Sequence, residues 1–90
     1  MDSGVHILVK GIVQGVGFRY YVFDRAIQLG IRGFARNLRN GNVEIKAYGE
    51  RSLIEEFIAA VKIGPRSAQV TDVMIEWSEP DVSYKNFEIW

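Results

Sequence analysis

The chain has 90 residues, of which 48% are hydrophobic and 24% are charged, and its formal net charge is zero. This length leaves room for a single domain over residues 1–90, and the balanced charge argues against a general nucleic-acid binder. The absence of cysteine excludes disulfides, thiolate zinc sites and a cysteine nucleophile.

The first third of the sequence predicts a strand followed by a helix. Apolar residues alternate over residues 5–13, as they do in a strand with one strongly apolar face. The segment 14–18 then interrupts the strand with two glycines. A stripe that includes Val22 and Ile27 predicts the helix, and Gly30 is suited to end it in a left-handed conformation.

Two further strands are predicted over residues 31–38 and 43–48. The pair Asn40-Gly41 lies between them and favours a type I′ hairpin turn, in which both central residues have positive φ. We therefore expect these strands to be antiparallel neighbours.

The second half of the sequence predicts a helix and a long strand. Ser52, followed three residues later by Glu55, is typical of a capping box at the start of a helix, and Gly64-Pro65 is expected to stop it. The strand covers about 69–77. Its apolar alternation changes phase near Thr71, which predicts either a bulge or a late start of the strand there.

A short final strand is predicted near residues 87–90, after a loop. The resulting order is β-α-β-β-α-β with a small extra strand. This order indicates an α+β, ferredoxin-like sandwich, in which an antiparallel sheet carries both helices on one face. Because that fold hosts many unrelated functions, the functional argument depends on particular residues.

The two glycines between the first strand and the first helix are the first candidate site. Successive N–H groups at such a junction can converge on an anion, and helix polarity adds partial positive charge. Arg19 follows at the start of the helix, and its guanidinium can donate two parallel hydrogen bonds to phosphate. A Gly-x-Gly alone is better explained by a simple turn, with Arg19 as an exposed arginine at the helix start, so the pair by itself does not establish a phosphate site.

Two longer motifs decide between these interpretations. Residues 9–19 read VKGIVQGVGFR, and residues 33–37 read GFARN, followed by Gly41, Val43 and Gly49. Both motifs, in this order, closely resemble the two signatures of the acylphosphatase family. Gly64-Pro65 with the following Ala68 and Val70 is similar to the later part of that family's pattern, so the resemblance covers most of the chain.

The resemblance implies an enzyme that hydrolyses the carboxyl–phosphate bond of acyl phosphates to carboxylate and inorganic phosphate. It implies that Arg19 binds the phosphate and that Asn37 is catalytic. Our hypothesis for the role of Asn37 is that its side chain orients an attacking water. The cradle that holds the phosphate would be the backbone of Gln14, Gly15, Val16, Gly17 and Phe18. Arg36 and Arg39 have no role in the resemblance, and we expect them to be solvated or weakly steering charges.

The expected sheet brings these residues together. In a ferredoxin-like sheet the first and second strands flank the third and run parallel to each other, so Arg19 and Asn37 would emerge at the same edge. No metal or other cofactor is expected, because the only histidine, His6, lies near the opposite end of its strand and the acidic residues are explained by exposed surfaces. Inorganic phosphate is expected to be both product and competitive ligand.

Location and assembly are predicted from what the sequence lacks. The longest apolar run, residues 57–61, is far shorter than the ~20 residues of a membrane span, and no secretion signal is present at the N-terminus. We expect a cytoplasmic monomer without membrane or nucleic-acid partners.

Two alternatives to a free-standing enzyme remain. One is a non-enzymatic module that binds RNA or a regulatory ligand, although residues 43–48 lack the aromatic segment of an RNA-recognition sheet. The other is an acylphosphatase-like domain that processes carbamoyl phosphate for a larger enzyme. The end of the chain at Trp90 favours the free-standing form.

Overall fold

The computed structural model describes all 90 residues and confirms the predicted ferredoxin-like order of elements. Five strands and two helices follow one another along the chain as β1 Asp2–Ile12, α1 Phe18–Gln28, β2 Arg32–Asn37, β3 Val43–Glu50, α2 Arg51–Ile63, β4 Gln69–Ser78 and β5 Phe87–Ile89.

The five strands form one sheet in the order β4-β1-β3-β2-β5. β1 and β2 flank β3, and both are antiparallel to it, so β1 and β2 run in the same direction. The expected strand order is therefore confirmed, and the ends of β1 and β2 lie at the same edge of the sheet. β5 pairs with β2 in parallel, which makes the complete sheet mixed.

The hydrophobic core lies between one face of the sheet and the two helices. Alternate residues of β1 and β3 contribute to it, as does the apolar stripe of α2, which includes Ile54, Phe57 and Val61. In α1 the buried residues are Phe18, Val22 and Ala26, whereas Ile27 is exposed, so its predicted place in the apolar stripe is wrong. Neither helix combines the length and the hydrophobicity needed to cross a membrane.

The bulge predicted near Thr71 is confirmed. Lys10 of β1 pairs with Asp72 of β4, but the next residue, Gly11, pairs with Val70, so Thr71 has no partner. One extra residue in β4 thus shifts its alternation and returns the later apolar residues to the core side.

The turn between β2 and β3 is not of type I′, because Gly41 has a φ of 93° but Asn40 does not have positive φ. The Gly41 N–H donates to the Leu38 carbonyl, and the Asn42 N–H donates to the Asn40 side chain. This is the three-residue hairpin loop that ends in a glycine. The side-chain bond of Asn40 stabilises it without a left-handed asparagine.

The capping box predicted at Ser52 and Glu55 is also wrong. α2 begins at Arg51, and Glu50 occupies the position before it, because β3 runs directly into the helix. Ser52 lies within the first turn and donates its hydroxyl hydrogen to the Glu50 carboxylate.

Candidate active site

The loop between β1 and α1 has the backbone shape of an anion cradle. Gly15 and Gly17 have φ values of 73° and 77°, in the left-handed region that favours glycine. A Cβ atom at either position would meet nothing within 4 Å, so this side of the loop faces open space. Gly17 also precedes the first turn of α1 and provides no side-chain cap.

The N–H groups of this loop are available to a ligand. Those of Gly15, Val16, Gly17 and Phe18 donate to no acceptor within the chain. The first turn of α1 contains no acidic residue, so the partial positive charge of the helix start is not neutralised locally. Beside these donors lies a depression of about 240 Å³, lined by Val13, Gly15, Gly17, Phe18, Arg19 and Tyr20.

Arg19 projects from the first turn of α1 and is partly exposed. Its Nη1 donates to the main-chain oxygen of Trp90 at 2.7 Å. The Trp90 N–H in turn donates to the Ala35 carbonyl at 2.9 Å, and the Trp90 indole stacks on Phe34 with ring centroids 3.9 Å apart. These contacts fix the guanidinium beside β2.

Asn37 is the last residue of β2, and its side chain is exposed and makes no hydrogen bond within the chain. Val43 of β3 pairs with Asn37 on one side and with Val9 of β1 on the other. Two strand spacings, about 10 Å, therefore separate the backbones of Asn37 and Val9. The structure thus places Asn37 at the edge where β1 leads into the cradle, without a direct bond to Arg19.

A side chain of the cradle bridges this gap. The Gln14 Nε2 donates to the Leu38 carbonyl at 2.7 Å and to the Asn42 carbonyl at 2.8 Å. Leu38 directly follows Asn37, so the cradle and the strand that carries Asn37 are connected through one amide group. On the other side of the loop, the Ser67 hydroxyl donates to the Val16 carbonyl at 2.6 Å.

The sequence motifs do not indicate four of these hydrogen bonds, which involve Gln14, Ser67 and Trp90. The motif includes Gln14 as a backbone contributor only, and nothing in the sequence indicates that its side chain reaches the hairpin. Ser67 and Trp90 lie outside both signatures, and their contacts join residues 51 and 71 positions apart in the chain.

A separate charged cluster lies on the sheet face opposite the helices. Glu44 accepts hydrogen bonds from the His6 Nε2 at 2.8 Å and from the Arg36 Nε at 2.5 Å. Partial burial raises the pKa of the Glu44 carboxyl, but these two bonds outweigh it and hold that pKa below its usual range. Arg36 is exposed, as is Arg39, but it also forms an ion pair with Glu44, which was not expected from the sequence.

Comparisons with known proteins agree with the motifs. The model of the acylphosphatase family matches residues 5–89. An acylphosphatase from Caldanaerobacter subterraneus subsp. tengcongensis is 44% identical over 90 residues, which cover 100% of both chains. The crystal structure of acylphosphatase from Bacillus subtilis has a TM-score of 0.94 and 37% identity, covering 100% of this chain and 99% of that one.

A larger protein contains a similar unit. The crystal structure of full-length HypF in its phosphate- and nucleotide-bound form matches with a TM-score of 0.87 and 30% identity. The match covers 100% of this chain but 12% of HypF.

Proposed function

The chain belongs to the acylphosphatase family and is an enzyme of that class, and we propose that it hydrolyses acyl phosphates at the edge where α1 begins and β2 ends. The products are a carboxylate and inorganic phosphate. One observation carries this proposal. The start of α1 offers unpaired N–H groups and Arg19. It lies beside the end of β2, where the Asn37 side chain makes no hydrogen bond within the chain.

The phosphate half of the substrate would be bound by the cradle and Arg19. Four N–H groups without acceptors and the guanidinium donate to the phosphate oxygens, and together they offset the negative charge. The bond from Arg19 to the Trp90 oxygen uses one guanidinium N–H and leaves others for substrate. This fixed geometry orients the phosphorus for attack from one side.

The water-positioning group would be Asn37. Its amide can accept a hydrogen bond from water and hold it in line with the bond between phosphorus and the acyl oxygen. Water forms a new P–O bond while that bond breaks, and the leaving group departs as a carboxylate. The water's proton passes to a phosphate oxygen or to solvent. No covalent phosphoenzyme is needed, since a loose transition state depends mainly on positioning and charge stabilisation.

We propose that this reaction needs no metal ion. A carboxylate is a far better leaving group than an alkoxide, so no additional charge is required on the leaving oxygen. The cradle and Arg19 supply the positive field that would otherwise come from a cation. Full activity after exhaustive dialysis against EDTA is expected, and loss of turnover that Mg²⁺ or Zn²⁺ restores would contradict this step.

The direct test is hydrolysis of benzoyl phosphate, followed by ultraviolet absorbance with the purified protein. Turnover should be saturable. Inorganic phosphate should be a competitive inhibitor, because it and benzoyl phosphate bind the same cradle. No turnover above the spontaneous rate would overturn the proposed activity. Purely non-competitive inhibition would place the phosphate site elsewhere.

The second candidate is the alternative of an acylphosphatase-like unit that serves a larger enzyme. HypF supports only the architecture of this alternative, since a similar segment makes up 12% of its chain. The substrate to test for it is carbamoyl phosphate. The same cradle would hold its phosphate. Comparing kcat/KM for carbamoyl phosphate and benzoyl phosphate separates the two, because a dedicated carbamoyl phosphate hydrolase should prefer the smaller acyl group.

A further inference from the structure

The side-chain amide of Gln14 makes two hydrogen bonds to the β2–β3 hairpin, at its Leu38 and Asn42 carbonyls. Both acceptors are carbonyl oxygens, so the nitrogen of the Gln14 amide must face them. This nitrogen has two hydrogens, and each donates to one of the two carbonyls. Gln14 belongs to the phosphate cradle, and both N–H groups of its side chain therefore bond to the segment that follows Asn37.

The two carbonyls are those that close the hairpin. The Leu38 N–H donates to the Asn42 carbonyl at 2.8 Å, and the Gly41 N–H donates to the Leu38 carbonyl at 3.2 Å. The Gln14 amide adds a second donor to each of these acceptors. Arg39 and Asn40 at the tip of the hairpin are exposed, so this amide is the side-chain contact that ties the turn to the cradle.

The cradle is held in place by other contacts. It leaves β1 at one end and enters α1 at the other, and Ser67 binds the Val16 carbonyl between them. Loss of the Gln14 amide should therefore loosen the hairpin more than the cradle. When the Gln14 amide is lost, we expect the end of β2, which carries Asn37, to shift more than the cradle.

We infer that Gln14 is a positioning residue for Asn37, in addition to its backbone place in the cradle. Its amide sets the distance between the bound phosphate and the water held by Asn37. This inference rests on the proposed function of Asn37. It predicts a loss of kcat with little change in phosphate binding, because the donors to phosphate remain in place.

The test is a double-mutant cycle with Gln14→Met and Asn37→Ala. Methionine keeps the length and volume of glutamine but removes the two donors. Misplacing a reacting group by about 1 Å can cost up to ~10²-fold, so Gln14→Met should lower kcat by about 10-fold to 100-fold. The inhibition constant of inorganic phosphate should stay within about 3-fold, and urea unfolding measures the folded fraction for each variant.

The Asn37→Ala background separates positioning from general support of the fold. If Gln14 acts through Asn37, Gln14→Met should change kcat by less than about 2-fold in that background. An equal loss of kcat in both backgrounds, or a wild-type kcat for Gln14→Met, would overturn the inference. Full activity of Asn37→Ala alone would instead overturn the proposed role of Asn37.

A second variant covers the case in which Gln14→Met does not fold. Gln14→Asn retains the amide but is one methylene too short to reach both carbonyls. The same cycle is then run with Gln14→Asn, and the same pattern of kcat and phosphate inhibition decides the outcome. Ser67→Ala is the matched control, because it removes a side-chain bond to the cradle that does not involve the hairpin, and its effect on kcat should be similar in both backgrounds.

Discussion

α1 and α2 each begin shortly after a strand, but the residue that precedes the first helical turn differs between them. At α2, Glu50 occupies that position, and the Ser52 hydroxyl donates to its carboxylate. At α1, the equivalent position is Gly17, which has no side chain, and no acidic residue follows in the first turn. We call the start of α2 the closed helix start, because it carries its own carboxylate. The start of α1 is the open helix start, because an anion from solution can approach it.

This difference favours the start of α1 as the place of the proposed site. A helix start attracts negative charge wherever it occurs in the fold. The hydrogen bond from Ser52 lowers the pKa of the Glu50 carboxyl, partial burial opposes the shift, and the N–H groups of Ser52 and Leu53 reinforce it. A carboxylate in that place competes with any phosphate, whereas the glycines of the cradle leave their N–H groups free.

The largest expected effect comes from changing the fixed cation at the open helix start. Arg19→Lys keeps the charge but cannot reproduce two parallel hydrogen bonds to phosphate. Deleting one preorganised donor typically costs ~10²–10³ in rate, so we expect kcat/KM to fall by about 10³-fold. Steady-state kinetics with benzoyl phosphate measure it. Arg39→Lys, at an exposed position, is the control, and near-normal kinetics for Arg19→Lys would make Arg19 a simple surface residue.

The next largest effect concerns Asn37. Asn37→Ala should lower kcat by about 10²–10³-fold, because the water would no longer be oriented, while the inhibition constant of phosphate changes little. Stability should also change little, since the side chain makes no hydrogen bond within the chain. Turnover, phosphate inhibition and urea unfolding are measured on the same protein. A large loss of stability with unchanged kcat per folded molecule would assign Asn37 a purely structural role.

The difference between the two helix starts can be tested by giving α1 a carboxylate of its own. Gly15→Asp places a carboxylate in the cradle at a position where the added Cβ meets nothing within 4 Å. Gly15→Asn has the same shape and the same strain at a φ of 73°, which both residues tolerate better than most. We expect inorganic phosphate to inhibit the Asp variant about 10-fold more weakly than the Asn variant. Equal inhibition would mean that phosphate binds away from this loop.

Much of the fold was predictable because its signals are local. The alternation in β1, the apolar stripe of α2 and the change of phase at Thr71 are each contained in about ten residues. The parallel pairing of β5 with β2 was not predictable, since it joins distant segments and leaves no periodic trace. The capping box failed because β3 continues to Glu50, which leaves no loop in which Ser52 could cap the helix.

The site was predictable only to the extent of its motifs. They name Arg19, Asn37 and the cradle as candidates, and the sheet order brings these segments to one edge. The supporting contacts depend on tertiary structure. Gln14 reaches carbonyls 24 and 28 residues away, and Arg19 bonds to a main-chain oxygen 71 residues away. A backbone oxygen has no sequence signature, so no motif could indicate that partner.

The smallest expected effect concerns the closed helix start. Glu50 has a lowered pKa in the folded protein, so its ionised form stabilises the fold at pH values above the ordinary glutamate pKa of about 4.3. This contribution is lost as the pH falls through the lower pKa of the folded state. Glu50→Gln should therefore lower the urea midpoint slightly near neutral pH and leave kcat unchanged. The difference from wild type should disappear at the acidic end of the titration, below the folded pKa.

Urea unfolding at several pH values measures this difference, and subtraction removes the contribution of Glu44, whose lowered pKa is common to both proteins. Glu55→Gln removes the same charge from an exposed position further along α2 and is the control. A midpoint difference that stays constant down to acidic pH would show that Glu50 stabilises α2 by packing and not by its charge. A fall in kcat for Glu50→Gln would contradict the division between a closed and an open helix start, because the two ends of the sheet would then be coupled.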